Sequence, residues 1–182
     1  AEKIYPIQFH KYMPPTIITQ NIETVKKFLI ENKDIVTKPL YGNGGEGIFR
    51  SRIQDLTLQG IDENKNSLDE PIIAQKYIPE IVEGDRRIIL IDGEYVGSVA
   101  RIPQDNNLKA NFHAGGKPHK TDLINRDKEI CDALRYDLKK KNLFLVGIDI
   151  IGNYLTEINV TSPTGLKQIN ELNDLKLEKI YW

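Results

Sequence analysis

The sequence predicts an α+β fold in which helices are mixed with mostly antiparallel sheets. Three observations carry this. Arg86 to Ile91 and Glu94 to Ala100 are β-type runs flanking Asp92-Gly93, a two-residue hairpin signal. Leu143 to Ile151 and Tyr154 to Val160 flank a second turn, Gly152-Asn153. Between the two pairs, Thr121 to about Lys141 carries Ile130, Leu134 and Leu138 at helical spacing. Strands joined by tight turns run antiparallel, which argues against a doubly wound parallel sheet.

The remaining elements follow along the chain. Residues 1–20 hold three prolines and little periodicity, and they read as loop and linker. Asn21 to Glu31 reads as a helix, with Ile22, Val25, Phe28 and Leu29 on one face and Asn21 as N-cap. Asp34 to Leu40 reads as a strand, and Pro39 pushes it toward an edge or a strand end. Ile48-Phe49-Arg50 reads as a second strand after a glycine cluster. Residues 59–70 are polar and read as an exposed loop, and Pro71 to Ile78 as a strand. Residues 102–120 read as a long, polar, glycine-bearing loop, a kind that is usually functional or mobile in a compact domain. The last turn of the 121–141 helix is lysine-rich, which suits the helix dipole. Leu143 to Ile151 is nearly all apolar, as a buried central strand should be. Pro163 to about Leu172 reads as a final helix.

Composition sets bounds on function. Apolar residues make up 40% of the 182 and charged residues 28%, ordinary for a globular protein. Lys and Arg number 25 against 26 Asp and Glu, so nothing points to nucleic acid or an acidic membrane as partner. A single cysteine, Cys131, cannot form a disulfide framework, and this favours a reducing, cytoplasmic setting. No apolar run is long enough to predict a transmembrane helix, and no secretory signal is visible. His10, His113 and His119 lack metal-ligand spacing, and no serine nucleophile elbow is present.

Two clusters carry chemistry. Gly42, Gly44 and Gly47, with Gly45 beside them, match G-x-G-x-x-G. A dinucleotide-binding version would open a helix, and a P-loop would end in Gly-Lys-Ser/Thr. This one lies between two strands instead. That arrangement covers phosphates with backbone N–H groups, and Lys38 stands at the end of the preceding strand to meet them. A plain hairpin with a solvated lysine is the simpler alternative.

The second cluster is Asp149, Glu157 and Asn159, three oxygen donors suited to Mg²⁺. Glu157 and Asn159 are two apart on a strand and share a face. Asp149 joins them if residues 152–154 form a three-residue loop. With a two-residue turn at Gly152-Asn153, Asp149 pairs with Thr156 and faces away. An acid inside the apolar run 143–151 is costly unless paired or metal-bound, and an arginine partner would serve as well as a metal. Arg86, Arg87 and Arg101 form a basic set; Arg87 and Arg101 could clamp carboxylates or phosphates.

The strings KPLYGNGGEGIFR (38–50), VEGDRRIILIDGE (82–94), ARIPQ (100–104) and VGIDIIGNYLTEINVTSPTG (146–165) resemble the bacterial glutathione synthetase family, in the family's order. The resemblance implies an ATP-grasp fold, two α+β lobes around ATP. It divides the chain into a linker (1–20), a smaller lobe with the glycine loop (21–80) and a larger lobe with the metal site (81–182). A further N-terminal substrate domain is expected outside this chain, and homo-oligomers are expected of the full-length protein. The implied reaction joins γ-glutamylcysteine and glycine through an acyl phosphate, with ATP converted to ADP and phosphate and no protein nucleophile needed. Cofactors would be ATP and Mg²⁺ or Mn²⁺.

By the same resemblance Lys3 and Lys38 meet ATP phosphates, and Gln75, Lys76, Tyr77 and Ile78 form the adenine segment. Asp85 is the nucleotide-side acid, and Asp149, Glu157 and Asn159 hold the metal. Arg87 and Arg101 are implied to stabilise transferring charge. Residues 102–117 match a loop that closes over the intermediate, with Lys109 where the family has arginine, which keeps the charge but loses the fork. Other readings are another ATP-grasp carbon–nitrogen ligase, such as a D-alanine ligase, or a nucleotide-binding fragment without catalysis.

Overall fold

A computed structural model of the chain describes residues 2–41, 47–55, 58–61, 67–103 and 116–181. These divide into two compact units, Pro14–Pro79 and Glu2–Met13 with Glu80–Trp182.

The first unit is a four-stranded antiparallel sheet with one helix. Its strands are β1 (Thr16–Asn21), β2 (Asp34–Pro39), β3 (Phe49–Arg52) and β4 (Ser67–Lys76), in the order β1-β4-β2-β3. The helix α1 (Ile22–Asn32) begins at the expected cap: Asn21 accepts from the Thr24 N–H at 2.8 Å. Ile22, Val25, Phe28 and Leu29 bury the expected face against Ile35, Leu58 and Ala74. Pro39 ends β2 rather than marking a sheet edge, since β2 lies between β4 and β3.

The second unit is a five-stranded antiparallel sheet whose central strands are buried on both faces. Its strands are β5 (Asp85–Ile91), β6 (Glu94–Ile102), β7 (Lys117–Lys120), β8 (Leu145–Ile151) and β9 (Tyr154–Asn159), in the order β7-β6-β5-β8-β9. The helix α2 (Asn125–Lys140) covers one face, packing Ile130, Leu134 and Leu138 against Ile88, Leu90, Val146, Ile148 and Ile150. The helix α3 (Leu166–Asn173) covers part of the other, with Ile169 against Ile89, Ile91 and Val99. A short helix α4 (Glu178–Tyr181) ends the chain's described part. Asp92 (φ 47°) and Gly93 (φ 70°) make the expected β5–β6 turn, both in the left-handed region that a two-residue hairpin requires.

Four expectations are corrected. Residues 1–20 are not loop: Glu2–Tyr12 form a 3-10 helix and Thr16–Asn21 form β1. Pro14 and Pro15 stand immediately before the β-branched run Thr16-Ile17-Ile18-Thr19 and so mask it. The strand expected at Pro71 begins at Ser67, and Pro71 lies within it. It is tolerated because the ladder to β1 is irregular opposite it, between Thr19 and Asn21. The polar loop 102–120 ends early, as Lys117–Lys120 pair with β6 to form an edge strand. The helix expected from Thr121 starts at Asn125.

Candidate functional site

One face of the second sheet carries polar residues at one end and apolar residues at the other. Strand alternation sorts them. In β5, Ile88 and Leu90 face α2, while Ile89 and Ile91 face α3. Asp85 and Arg87 therefore share the α3-side face, and Arg86 faces α2. In β8, Val146, Ile148 and Ile150 face α2, which leaves Gly147 and Asp149 beside Arg87.

Whether Asp149 meets Glu157 turns on β9. Ile151 pairs with Tyr154, so Gly152-Asn153 is a two-residue turn. Yet Asp149 pairs with Glu157, because the ladder skips from Ile150–Leu155 to Asp149–Glu157 and leaves Thr156 as a bulge. The Thr156 hydroxyl donates to the Asp149 carbonyl at 3.1 Å. The structure thus combines a two-residue turn with the pairing expected of a three-residue loop. The bulge also explains how Leu155 sits in the α2 core while Glu157, two residues on, faces the other side. Asn159 pairs with Gly147 and donates its side-chain N–H to the Gly147 carbonyl at 3.2 Å, which directs the amide oxygen away from that carbonyl.

Asp149 is 3% exposed and lies between two guanidiniums. Arg87 grips it in a fork, Nε to one oxygen and Nη2 to the other at 2.9 Å, and its Nη1 donates to the Thr164 carbonyl at 2.9 Å. Arg101 Nη2 lies 2.9 Å from the Asp149 carboxylate and bridges to Asp85 across the β5–β6 ladder. Burial pushes the Asp149 carboxyl up, but Arg101 and Arg87 outweigh it and hold the group down at about 2. The neighbouring acid behaves oppositely. Burial pushes Asp85 up to about 6 despite Arg101, since that guanidinium is shared with Asp149 and Asp149 itself repels. One Asp85 oxygen, Oδ1, has no hydrogen-bond partner among the described residues. Asp85, Asp149 and Glu157 thus lie along the same row as Arg87 and Arg101.

The donor set fits a hard divalent ion. Asp149, Glu157 and Asn159 offer oxygen alone, and no group of three or more His, Cys, Asp or Glu is placed to hold a metal among the described residues. Mg²⁺ is commonly held by one or two carboxylates, with phosphate oxygens and water completing its shell. An incomplete oxygen set is therefore what a metal–nucleotide site presents.

The other expected residues lie elsewhere. Lys3 is in the 3-10 helix of the second unit. Lys38 and Gln75 are in the first unit, where Lys38 Nζ donates to the Gln75 side chain at 3.4 Å and Gln75 donates to Thr16 Oγ1 at 3.0 Å. The N–H groups of Lys76 and Tyr77 donate to Pro15 and Asp34 carbonyls, each at 2.9 Å. A backbone donor for a base in this segment would thus come from beyond Tyr77, with Ile78 next in line. The Arg50 guanidinium covers the Tyr77 ring at 3.4 Å and forks onto Asp34. Gly47 stands against Pro39, while Gly42, Gly44, Gly45 and Lys109 lie outside the described residues.

Two further acids, one fully buried and one half-buried, had no role in the sequence reading. Asp127 is fully buried in an ion pair with Arg86. It stands on the helical stripe of Cys131, Leu134 and Leu138, and an acid on an apolar stripe was the available signal. Glu2 accepts from the Val160 N–H and, at 3.1 Å, from the Thr161 N–H, just past Asn159. Nothing local in the sequence links positions so far apart.

Solved structures identify the fold. The chain is similar to the ATP-grasp ligase PsnB complexed with precursor peptide PsnA2 and AMPPNP (TM-score 0.68, 17% identity, 96% of this chain and 54% of that one). It is similar also to the D-alanine–D-alanine ligase of Bacillus anthracis complexed with ATP (TM-score 0.62, 16%, 99% and 62%). The fold is therefore ATP-grasp. Residues 2–174 match the family model described as the prokaryotic glutathione synthetase ATP-grasp domain. The chain belongs to that family. It is 42% identical over 182 residues to the glutathione synthetase of Agrobacterium fabrum and 44% identical to that of Brucella melitensis. Both alignments take in all of this chain, which spans 57% and 58% of the relatives' own lengths.

Proposed function

We propose that the chain is the nucleotide- and metal-binding part of a glutathione synthetase, an ATP-dependent carbon–nitrogen ligase. The observation that carries this is the pairing of Asp149 with Glu157, with Asn159 beside them, in a chain more than 40% identical to two glutathione synthetases. In this reading Asp149, Glu157 and Asn159 hold Mg²⁺, with Mn²⁺ a chemically similar substitute. The ion would supply charge neutralisation at the nucleotide phosphates.

The chain's residues do the rest by position and charge. The cysteinyl carboxylate of γ-glutamylcysteine takes the γ-phosphoryl group of ATP and releases ADP. The amine of glycine then displaces phosphate and loses a proton, forming the peptide bond. No protein nucleophile takes part. Arg87 and Arg101, each engaged with Asp149, act first by holding that carboxylate ionised and oriented. Their positive charge beside the site also favours developing phosphoryl charge. Lys3 and Lys38 are assigned to the phosphates, and residues 75–78 to adenine with Ile78 as its backbone donor. Asp85 is buried with Arg101, and we assign it to the arginine row rather than to direct ribose contact. A cytoplasmic setting and a homo-oligomeric full-length protein accompany the reading.

ADP release coupled to NADH oxidation tests it. The expected result is Mg²⁺-dependent release that needs both γ-glutamylcysteine and glycine. Release driven by D-alanine, with none from that pair, would sink the substrate assignment.

A further inference from the structure

The meeting of Asp149 and Glu157 depends on the bulge at Thr156. Without it, β9 would slip by one residue and Glu157 would turn to the α2 face, because side chains alternate with period two. The turn fixes the end of the hairpin from which the bulge is counted, and here both turn carbonyls are held by arginines. Arg86 Nη2 donates to the Gly152 carbonyl at 2.6 Å. The same guanidinium forks onto Asp127, at 2.8 and 3.0 Å. Asp127 has no solvent exposure and also accepts from the Ile124 N–H at 3.2 Å. Arg126 Nε donates to the Asn153 carbonyl at 3.1 Å, and its guanidinium stacks 5.0 Å from the Tyr12 ring. The turn is thereby tied to the first turn of α2.

We infer that Arg86, seated on Asp127 and assisted by Arg126, is a positioning residue that fixes the β8–β9 register and so holds Glu157 opposite Asp149. The inference rests on the metal role proposed for that pair. Arg86 faces α2, away from the site, and acts only through the turn. A guanidinium suits this role because its planar fork serves a carboxylate and a carbonyl at once, which a single ammonium on a flexible stem does poorly.

The test uses the 182-residue chain, with Mn²⁺ in the presence of ADP titrated by electron paramagnetic resonance. Amide hydrogen exchange over residues 152–157 is read in parallel without metal. Arg86→Met alone would strand the Asp127 carboxylate and risk unfolding. The Arg86→Met/Asp127→Asn pair avoids this, since asparagine keeps an acceptor for the Ile124 N–H. Arg126→Met supplies a second variant that leaves the buried pair alone. With thermal unfolding still cooperative, the double variant is expected to exchange faster at Thr156 and Glu157 and to lose about tenfold in Mn²⁺ affinity, the scale seen when groups that orient metal ligands are removed. Arg126→Met should move both readings the same way by less. Wild-type exchange and affinity in both variants would overturn the inference. A wild-type chain that takes up no Mn²⁺ brings down the metal reading instead. Exchange then decides on the clamp: faster exchange upholds it and unchanged exchange overturns it.

Discussion

Replacing Asp149 with asparagine separates folding from ligation. The carboxylate is 3% exposed and meets both Arg87 and Arg101. Held at about 2 against an ordinary 3.8, it contributes on the order of 2 kcal/mol of stability at neutral pH. Asparagine removes that contribution and leaves two guanidiniums buried with less countercharge, a situation that costs about 3–5 kcal/mol when one partner of a buried pair is deleted. A loss of about 3 kcal/mol at pH 7 is therefore expected by urea denaturation in the presence of a chelator. The pH dependence gives a second check. The folded value lies below the unfolded one, so the contribution is complete above about pH 4 and lost as pH falls toward 2. The gap between wild type and Asp149→Asn should narrow below pH 4, followed to the lowest pH at which both still fold. A gap under about 1 kcal/mol at pH 7 would refute the reasoning, because it would place the carboxylate in the exposed, screened regime of surface pairs.

Three further perturbations probe the same row. Glu157→Gln should weaken Mn²⁺ binding by about tenfold or more and shift unfolding by less than about 1 kcal/mol, since Glu157 is only half-buried; calorimetric titration that finds wild-type affinity removes it from the site. Asp85→Asn should gain on wild type as pH rises from 4 to 7, by up to roughly 3 kcal/mol. The sign follows from a folded value near 6 against 3.8, so the cost of ionising Asp85 is absent below pH 4 and complete above 6; a pH-independent difference would contradict it. Gly147→Ala should cost about 1–3 kcal/mol as overpacking, because its Cβ would stand 2.7 Å from Pro163 Cβ and 3.2 Å from Arg87 Cδ; an unshifted urea midpoint would show that this region yields without strain.

Much of the fold was legible because local chemistry and burial agree. Asp92-Gly93 names its turn, and the stripe of Ile130, Leu134 and Leu138 names its helix and core face. The segments that misled did so where a local signal was outweighed by pairing: Pro14 and Pro15 disguise β1, and the polar string Lys117–Lys120 becomes a strand only because β6 offers it an edge. The site shows the same division at finer scale. The residue types Asp149, Glu157 and Asn159 advertise oxygen ligation, but their meeting rests on one extra residue in one strand. That residue did leave a trace. Leu155 and Ile158 are three apart, and a regular strand cannot bury both on one face. Both are in the α2 core, so a bulge had to lie between them, and a bulge there turns Glu157 outward. The apolar pattern of β9 thus encodes the placement of its carboxylate: the core seats Leu155 and Ile158 on either side of the bulge, the held turn anchors the strand end, and the register they share delivers the ligand.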